Sequence, residues 1–139
     1  MAIKNKDEKA RFIVVGGANT AIDFGLLFLL KAFGLPVISA NIISTSLAFI
    51  FSFFANKKYT FRARGTDLKK EVALFVVVTL FGLWVLQTIV IQAVTLLLQG
   101  LHLGDETVLL VAKVSATFVS LTWNYVLYSR VVFKKDQRL

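Results

Sequence analysis

The sequence has no cysteine, one histidine, one proline, and charged side chains at only 17% of its 139 positions. Without cysteine the chain forms no disulfide. His102 has no second histidine or carboxylate at ligand spacing, so we expect no metal site and no cofactor. The sequence contains no Ser-His-Asp or Cys-His set, no paired carboxylates on one face and no glycine-rich phosphate loop. These absences predict a protein that is not an enzyme.

Long apolar blocks take up most of the chain. Four of them exceed the roughly 18 residues that mark a membrane-spanning helix. They cover about 12–33, 37–54, 72–98 and 108–127. The pattern predicts an all-α integral membrane protein with four transmembrane helices in a single domain, residues 1–139. It excludes a secreted domain, a soluble nucleotide enzyme and a DNA-binding module, so we expect no nucleic acid partner.

The basic residues are distributed unevenly along the chain, whose net charge is +8. Fourteen of the sixteen lysines and arginines lie before the first block, between the second and third, or after the fourth. Only Lys31 and Lys113 belong to the other face. This bias predicts that both termini and the middle loop are cytoplasmic. The middle loop is then either a surface attracted to anionic membrane lipids, or a docking site for a lipid phosphate.

The two halves of the chain show signs of an internal repeat. Small residues recur every fourth position in the second and fourth helices. A shift of 68 residues superposes Ala48, Ser52 and Asn56 on Ala116, Ser120 and Asn124. Phe12-x3-Gly16 and Phe75-x3-Thr79 match more weakly. The pattern predicts two hairpins related as parallel repeats. The alternative is that small residues recur here because membrane helices pack closely along them.

Two charged residues fall within the predicted hydrocarbon layer, where each needs a partner or a function. Asp23 is eleven residues past Phe12, about 16 Å deep at the α-helical rise. Lys113 is five residues past Val108, about 7–8 Å from the other face. One interpretation is structural: an ion pair between them, or a lysine that extends to the interface. The other makes Lys113 a phosphate-binding cation and Asp23 a gate or a proton-linked carboxylate.

Four amide side chains lie along the same predicted helices. Asn19 is one turn before Asp23, and Gln87 is near the middle of the third helix, where it can hydrogen-bond to a neighbouring helix. Asn56 and Asn124 end the second and fourth helices. These two asparagines are either left-handed C-terminal caps or part of a substrate site.

Two segments resemble those of a known family. Residues 11–23 read Arg-Phe-Ile-Val-Val-Gly-Gly-Ala-Asn-Thr-Ala-Ile-Asp, and residues 56–61 read Asn-Lys-Lys-Tyr-Thr-Phe. From about Arg11 to Phe133 the chain resembles the GtrA-like family of small four-helix bacterial membrane proteins. One departure is that Asn124 is followed by Tyr125 and Val126, where basic residues are common in the family.

The resemblance implies a role in cell-surface glycosylation. Such proteins are thought to move a polyprenyl-phosphate-linked monosaccharide, carried on undecaprenyl phosphate in bacteria, across the cytoplasmic (inner) membrane. The sugar then decorates teichoic acid or another polysaccharide. The implied partners are membrane lipids, a polyprenyl-phosphate glycosyltransferase that makes the lipid and an outward-facing glycosyltransferase that uses it.

The predicted depths of the polar residues suggest a path for the headgroup. The basic loop collects the phosphate, the polar side chains of the helices contact it during crossing, and Lys113 receives it near the outer leaflet. The residues assigned to the phosphate or sugar are Asn19, Asp23, Asn56, Lys57, Lys58, Arg62, Gln87, Lys113 and Asn124. A four-helix bundle is thin for enclosing a sugar, so a homo-oligomer is a further expectation.

Two other functions fit a chain of this kind. One is a non-transporting scaffold for a polyprenyl-phosphate glycosyltransferase. The other is a small proton-coupled multidrug exporter that uses Asp23. The strong charge bias argues against the exporter, because such proteins often insert in both orientations.

Overall fold

The computed structural model of the protein describes residues 2–64 and 67–133, with side chains from Lys6 onward. All regular structure in these residues is helical. The α-helices are α1 (Ala2–Ala32), α2 (Val37–Ala55), α3 (Leu68–Leu80), α4 (Gln87–Leu98) and α5 (Asp105–Leu127). Three π-helical segments continue α2, α3 and α5, over Asn56–Thr60, Phe81–Leu86 and Tyr128–Val132 respectively.

Four continuous helical spans are long and apolar enough to cross a membrane, which confirms the predicted fold class. They are Lys6–Ala32, Val37–Thr60, Leu68–Leu98 and Asp105–Val132. The predicted first, third and fourth spans begin three to six residues too late, and the predicted second and fourth end five or six residues too early. Hydropathy marks the part of a helix that prefers lipid, whereas backbone hydrogen bonds continue into polar residues beyond it.

The chain divides into two compact units, each of which is a helical hairpin. The first hairpin is residues 2–64, in which α1 packs on α2. The second is residues 67–133, in which the α3–α4 span packs on α5. We call the end of each hairpin away from its connecting turn its base.

The turn of the first hairpin explains how α1 ends and α2 begins. Gly34 has a φ of +89°, a left-handed conformation that glycine adopts without steric penalty. The amide of Leu35 donates to the Leu30 carbonyl at 3.1 Å, so the last turn of α1 is closed. Pro36 then precedes α2, and its carbonyl accepts from Ala40 at 2.9 Å. In the second hairpin, His102 takes the left-handed conformation, with a φ of +49°.

The predicted ladders of small residues form the buried faces of α2 and α5. Ala40, Ser44 and Ala48 are buried in the first hairpin, and Ala112, Ala116 and Ser120 in the second. Ser44 hydrogen-bonds to α1, and Ser120 hydrogen-bonds to α4. The ladders therefore face the other helix of their own hairpin, where small side chains allow the backbones to approach.

The prediction of left-handed asparagine caps is wrong. Asn56 is right-handed, with φ −65° and ψ −45°, and the helix continues through Thr60 as a π turn. Asn124 lies inside α5. The left-handed residue at the base of the first hairpin is Arg62, with a φ of +52°. Each asparagine is followed by further helical hydrogen bonds, so its own backbone needs no cap.

The π turns at the two bases end alike. The amide of Phe61 donates to the Asn56 carbonyl at 2.9 Å, and that of Phe133 to the Tyr128 carbonyl at 2.8 Å. The second span of the first hairpin has 24 residues and that of the second hairpin has 28. In the longer span Arg130 follows Asn124 by six residues, whereas Lys57 follows Asn56 directly.

Candidate functional site

Asp23 is held by α2 in the middle of the first hairpin. Its Oδ1 accepts hydrogen bonds from the Ser44 hydroxyl at 2.7 Å and the Thr45 hydroxyl at 3.3 Å. Ser44 is completely buried, whereas Asp23 is half-buried. Two neutral hydroxyl donors therefore fix the position of the carboxyl oxygen. Lys113 is exposed on α5 of the other hairpin, and its pairing with Asp23 stays a prediction.

Asn19 lies one turn before Asp23 on α1. Its Oδ1 is buried and has no hydrogen-bond partner among the residues that the structure describes. Gly16 and Gly17 lie one turn further back, and no heavy atom lies within 4 Å of the position that a Cβ would take on either of them. A buried acceptor and open space thus occur together along this part of α1.

The base of the first hairpin contains two more buried polar atoms. Asn56 is 2% exposed and donates through Nδ2 to the carbonyl and hydroxyl oxygens of Ser52, at 2.9 and 3.3 Å. Its Oδ1 has no partner in the described part of the chain, and neither has the hydroxyl of Thr60, a fully buried residue. Both unpartnered atoms belong to the same five-residue π turn.

Arg11, which the sequence analysis did not assign to the site, reaches this π turn. Its Nε and Nη2 donate to the Thr60 carbonyl at 3.3 and 3.1 Å. The contact sets the guanidinium at the base, beside Phe12 and Phe61, whose ring centroids are 6.3 Å apart. The sequence signal for this role is that Arg11 opens the motif of residues 11–23, immediately before Phe12.

The predicted loop cations occupy different environments. Lys57 is half-buried and interacts with its surroundings. Lys58 is exposed, with its Nζ 5.9 Å from the Phe54 ring centroid. Arg62 is exposed as well. All three follow Asn56 in the first hairpin, so they are available as a basic surface at its base.

The polar residues of the second hairpin mostly hydrogen-bond to one another. Gln87 donates to the Ser120 hydroxyl at 2.9 Å, the interhelical bond that its position predicts. Trp123 donates from its indole nitrogen to the Val78 carbonyl at 3.1 Å, and Tyr128 hydrogen-bonds to Thr79. Asn124 is the exception. Its Oδ1 is buried without a partner among the described residues.

These groups suit a neutral or anionic polar ligand better than a metal. Among the residues that the structure describes, no cluster of three or more histidine, cysteine or acidic side chains could hold a metal ion. The first hairpin instead combines a carboxylate, unpartnered amide and hydroxyl oxygens, and a guanidinium. Such a set can exchange hydrogen bonds with hydroxyl and phosphate groups.

Four lipid-compatible spans with a polar strip inside a hairpin define a small multi-pass membrane protein. Residues 11–138 match the family described as the GtrA/DPMS transmembrane domain, and the chain belongs to this family. One relative, an uncharacterized membrane protein YngA of Bacillus subtilis (strain 168), is 31% identical over 116 residues. That match covers 84% of this chain and 72% of the relative. The resemblance identified from the first and second helices is confirmed, and it connects the chain with membrane functions that involve polyprenyl-phosphate sugars.

Proposed function

We propose that the protein moves a polyprenyl-phosphate-linked monosaccharide from the cytoplasmic to the outer leaflet of the bacterial cytoplasmic membrane. The observation that carries the proposal is the strip of polar groups along the first hairpin, which runs from Arg11 and Thr60 at the base to Asp23 and Ser44. The family assignment supports the same substrate class.

The polar strip covers a large part of the distance that a lipid headgroup must cross in the membrane. Arg11 and Asp23 are twelve residues apart, or roughly 18 Å along an α-helix. A hydrocarbon layer is about 30 Å thick, so polar groups accompany more than half of that distance. The lipid tail remains in the membrane, and only the phosphate and the sugar lose water. Hydrogen bonds from the strip replace part of their hydration and lower the barrier.

Each polar residue has a chemical role in this proposal. The Asp23 carboxylate and the Asn19 and Asn56 amide oxygens accept from sugar hydroxyls. In the second hairpin, the Asn124 Oδ1 and the Gln87 amide offer further polar contacts. Lys113 receives the phosphate near the outer leaflet, and Lys57, Lys58 and Arg62 attract it at the cytoplasmic face.

The direction of transport implies an orientation of the protein and two partner enzymes. Both termini face the cytoplasm, where a polyprenyl-phosphate glycosyltransferase makes the substrate. An outward-facing glycosyltransferase consumes it for decoration of teichoic acid or another polysaccharide. Because this consumption keeps the outer concentration low, it supplies a driving force without nucleotide hydrolysis by the chain itself.

A proteoliposome assay tests the proposal directly. Purified protein is reconstituted with undecaprenyl-phosphate glucose, and a membrane-impermeant sugar-modifying enzyme is added outside. In vesicles without flipping, only the outer half of the lipid reacts. We expect reaction to approach completion with the protein present and to slow strongly with Asp23→Asn or Lys113→Met. The control is Lys31→Met, the other exposed lysine assigned to that face.

The two main outcomes separate two functions. Complete reaction that depends on Asp23 and Lys113 in folded protein supports translocation by this chain. Reaction that stops at half, in vesicles that contain folded protein, contradicts it and favours the scaffold for a glycosyltransferase. If both variants retain the full rate, the path through these two residues is wrong even though translocation occurs.

A further inference from the structure

The two hairpins share a framework at their bases, which allows their residues to be paired. Each first helix has a buried glutamate four residues before a buried phenylalanine, and each π turn is followed by another buried phenylalanine. The pairs are Glu8 with Glu71, Phe12 with Phe75, and Phe61 with Phe133. The two rings at each base lie 6.3 Å and 6.0 Å apart, at 50° and 52°. The same backbone frame therefore occurs twice.

Four positions that are polar or open in the first hairpin are apolar or filled in the second. Counted from the shared phenylalanines, the pairs are Arg11 with Leu74, Gly16 with Thr79, Asn56 with Tyr128, and Thr60 with Val132. By this count Asn56 pairs with Tyr128 and not with Asn124, because the last span of the second hairpin is four residues longer than that of the first, 28 against 24. The difference lies in the side chains and not in the helical frame.

At the positions paired with Asn56 and Thr60, the second hairpin leaves no unpartnered polar atom among the described residues, although the Asn124 Oδ1 one turn earlier is unpartnered. The Tyr128 ring stacks on Phe75, with centroids 4.7 Å apart, and its hydroxyl hydrogen-bonds to Thr79. In the first hairpin, the Asn56 Oδ1 and the Thr60 hydroxyl are buried without partners in the described part of the chain. Unsatisfied buried polar atoms cost folding free energy, and the second hairpin shows that this frame also accepts residues without that cost. A ligand that completes their hydrogen bonds would remove this cost.

The chemistry of the three groups identifies the ligand class. A guanidinium has five N–H donors, of which Arg11 uses two on the Thr60 carbonyl, and this contact orients the rest. The Thr60 hydroxyl is a further donor. Asn56 offers only an acceptor, because its Nδ2 already donates to Ser52. Donors for an anion beside an acceptor for a hydroxyl match a phosphate joined to a sugar.

We propose that Arg11, Asn56 and Thr60 form the docking site for the phosphate–sugar headgroup of a polyprenyl lipid. Arg11 and Thr60 donate to phosphate oxygens, and Asn56 accepts from a sugar hydroxyl. The site takes its ligand from the membrane, because exposed apolar side chains such as Ile13, Phe54 and Tyr59 surround this base and can contact an isoprenoid tail. The inference rests on the proposed function, and it names the substrate contacts that begin the cycle.

A binding measurement on the full chain tests the site separately from transport. Detergent-purified protein is titrated with undecaprenyl-phosphate glucose, and the bound fraction is read by native mass spectrometry. We expect Thr60→Val to weaken binding about fivefold, the loss of one hydrogen bond. Arg11→Gln should weaken it by about tenfold or more, because its hydrogen bonds are charge-assisted. Thr60→Val is nearly isosteric and leaves the Thr60 carbonyl for Arg11, so it remains informative if Arg11→Gln unfolds.

The second hairpin provides the matched controls. Val132→Thr places a hydroxyl at the paired position without a guanidinium, and we expect its binding to equal that of the wild type. Arg130→Gln removes a base cation outside the proposed site and should also leave binding unchanged. Wild-type affinity in Thr60→Val and Arg11→Gln would overturn the site, as would an equal loss in Arg130→Gln.

Competition distinguishes the source of the phosphate. Undecaprenyl phosphate should displace bound undecaprenyl-phosphate glucose, whereas inorganic phosphate in large excess should not. Displacement by both would overturn the lipid as the ligand. The transport assay completes the separation. Binding that depends on Arg11 without any flipping would preserve the docking site and contradict translocation. Translocation at the wild-type rate in Arg11→Gln and Thr60→Val would preserve the proposed function and contradict the docking site.

Discussion

Polar side chains in the first hairpin are left available, while those in the second are largely paired with one another. In the first, the amide oxygens of Asn19 and Asn56 and the hydroxyl of Thr60 are buried without partners among the described residues. In the second, Gln87 bonds to Ser120, and Tyr128 bonds to Thr79. Asn124 departs from this rule, since its Oδ1 is also unpartnered in the part of the chain that the structure describes.

The comparison shows how a duplicated frame can serve two purposes. Aromatic packing at the base and a small-residue face recur in both hairpins, so both can fold by the same contacts. The second hairpin adds side-chain hydrogen bonds that consume its polar groups. The first leaves acceptors and donors that a ligand can use. We therefore expect substitutions of the paired polar groups in the second hairpin to act mainly on stability, and those of the unpartnered polar groups in the first to act mainly on binding and transport.

The largest expected effect is on the aromatic core of the second hairpin. Phe133 is fully buried and contacts both Phe75 and Tyr128, with each ring centroid 6.0 Å away. Phe133→Ala should lower the free energy of unfolding by about 3–5 kcal/mol. The measurement is reversible unfolding in mixed detergent micelles. Phe61→Ala is the matched variant at the base of the first hairpin, where Phe61 is 1% exposed and its ring packs against Phe12. We expect a loss of the same order, and a loss below about 1 kcal/mol for either variant would contradict the shared aromatic frame.

Replacing one glycine in each hairpin by alanine tests how closely the helices pack at that position. A Cβ on Gly82 would lie 3.1 Å from the Asn124 Oδ1 and 3.2 Å from a Trp123 ring carbon. Gly82→Ala should therefore destabilise the protein by about 1–3 kcal/mol, as overpacking does. Gly16→Ala meets no heavy atom within 4 Å and should change stability by less than about 0.5 kcal/mol. The same unfolding titration compares them, and equal losses would show that the first hairpin is as closed as the second.

Asp23→Leu gives the first hairpin the apolar character that the second has at the paired position, Leu86. The hydroxyls of Ser44 and Thr45 lose their shared acceptor, but Ser44 still donates to the Asn41 carbonyl at 3.1 Å. We expect translocation in proteoliposomes to fall by about tenfold or more, because a charged acceptor for the substrate is lost. Unchanged translocation would remove Asp23 from the path.

The smallest expected effect comes from the interhelical bond of the second hairpin. Gln87→Leu removes the donor to Ser120, which still donates to the Thr117 carbonyl at 3.1 Å. Hydrogen bonds between membrane helices contribute about 0.6 kcal/mol on average, so unfolding should change by about that amount. Translocation should slow by about twofold at most, because Gln87 offers only one of several polar contacts to the substrate. A defect as large as that of Asp23→Leu in a stable Gln87→Leu protein would contradict the contrast between the hairpins.

Much of the architecture was predictable because it depends on composition. The spans, the buried faces of α2 and α5, and the family could be inferred from apolar length, four-residue spacing and short motifs. Gln87 was also predicted to bond to a neighbouring helix. These properties follow from hydrophobic partitioning and helical periodicity, which are local in sequence.

Other features required the tertiary structure, because they depend on which backbone and side-chain groups meet. Asn56 resembles a cap in sequence, but it begins a π turn whose last carbonyl binds Arg11. Arg11 and Thr60 are 49 positions apart, and no spacing rule connects them. Glu8 and Glu71 each precede the paired phenylalanine by four residues in the sequence, but only the structure shows that both are buried.

Sequence alone therefore determined that this chain is a four-span membrane protein of the GtrA/DPMS family with polar residues inside its helices. Only the tertiary structure decided which of those polar residues are satisfied by the protein and which are left for a ligand. The reason is physical. Hydrophobic length acts through the membrane and can be summed along the chain, whereas a hydrogen bond exists only where register and rotamer bring a donor to an acceptor.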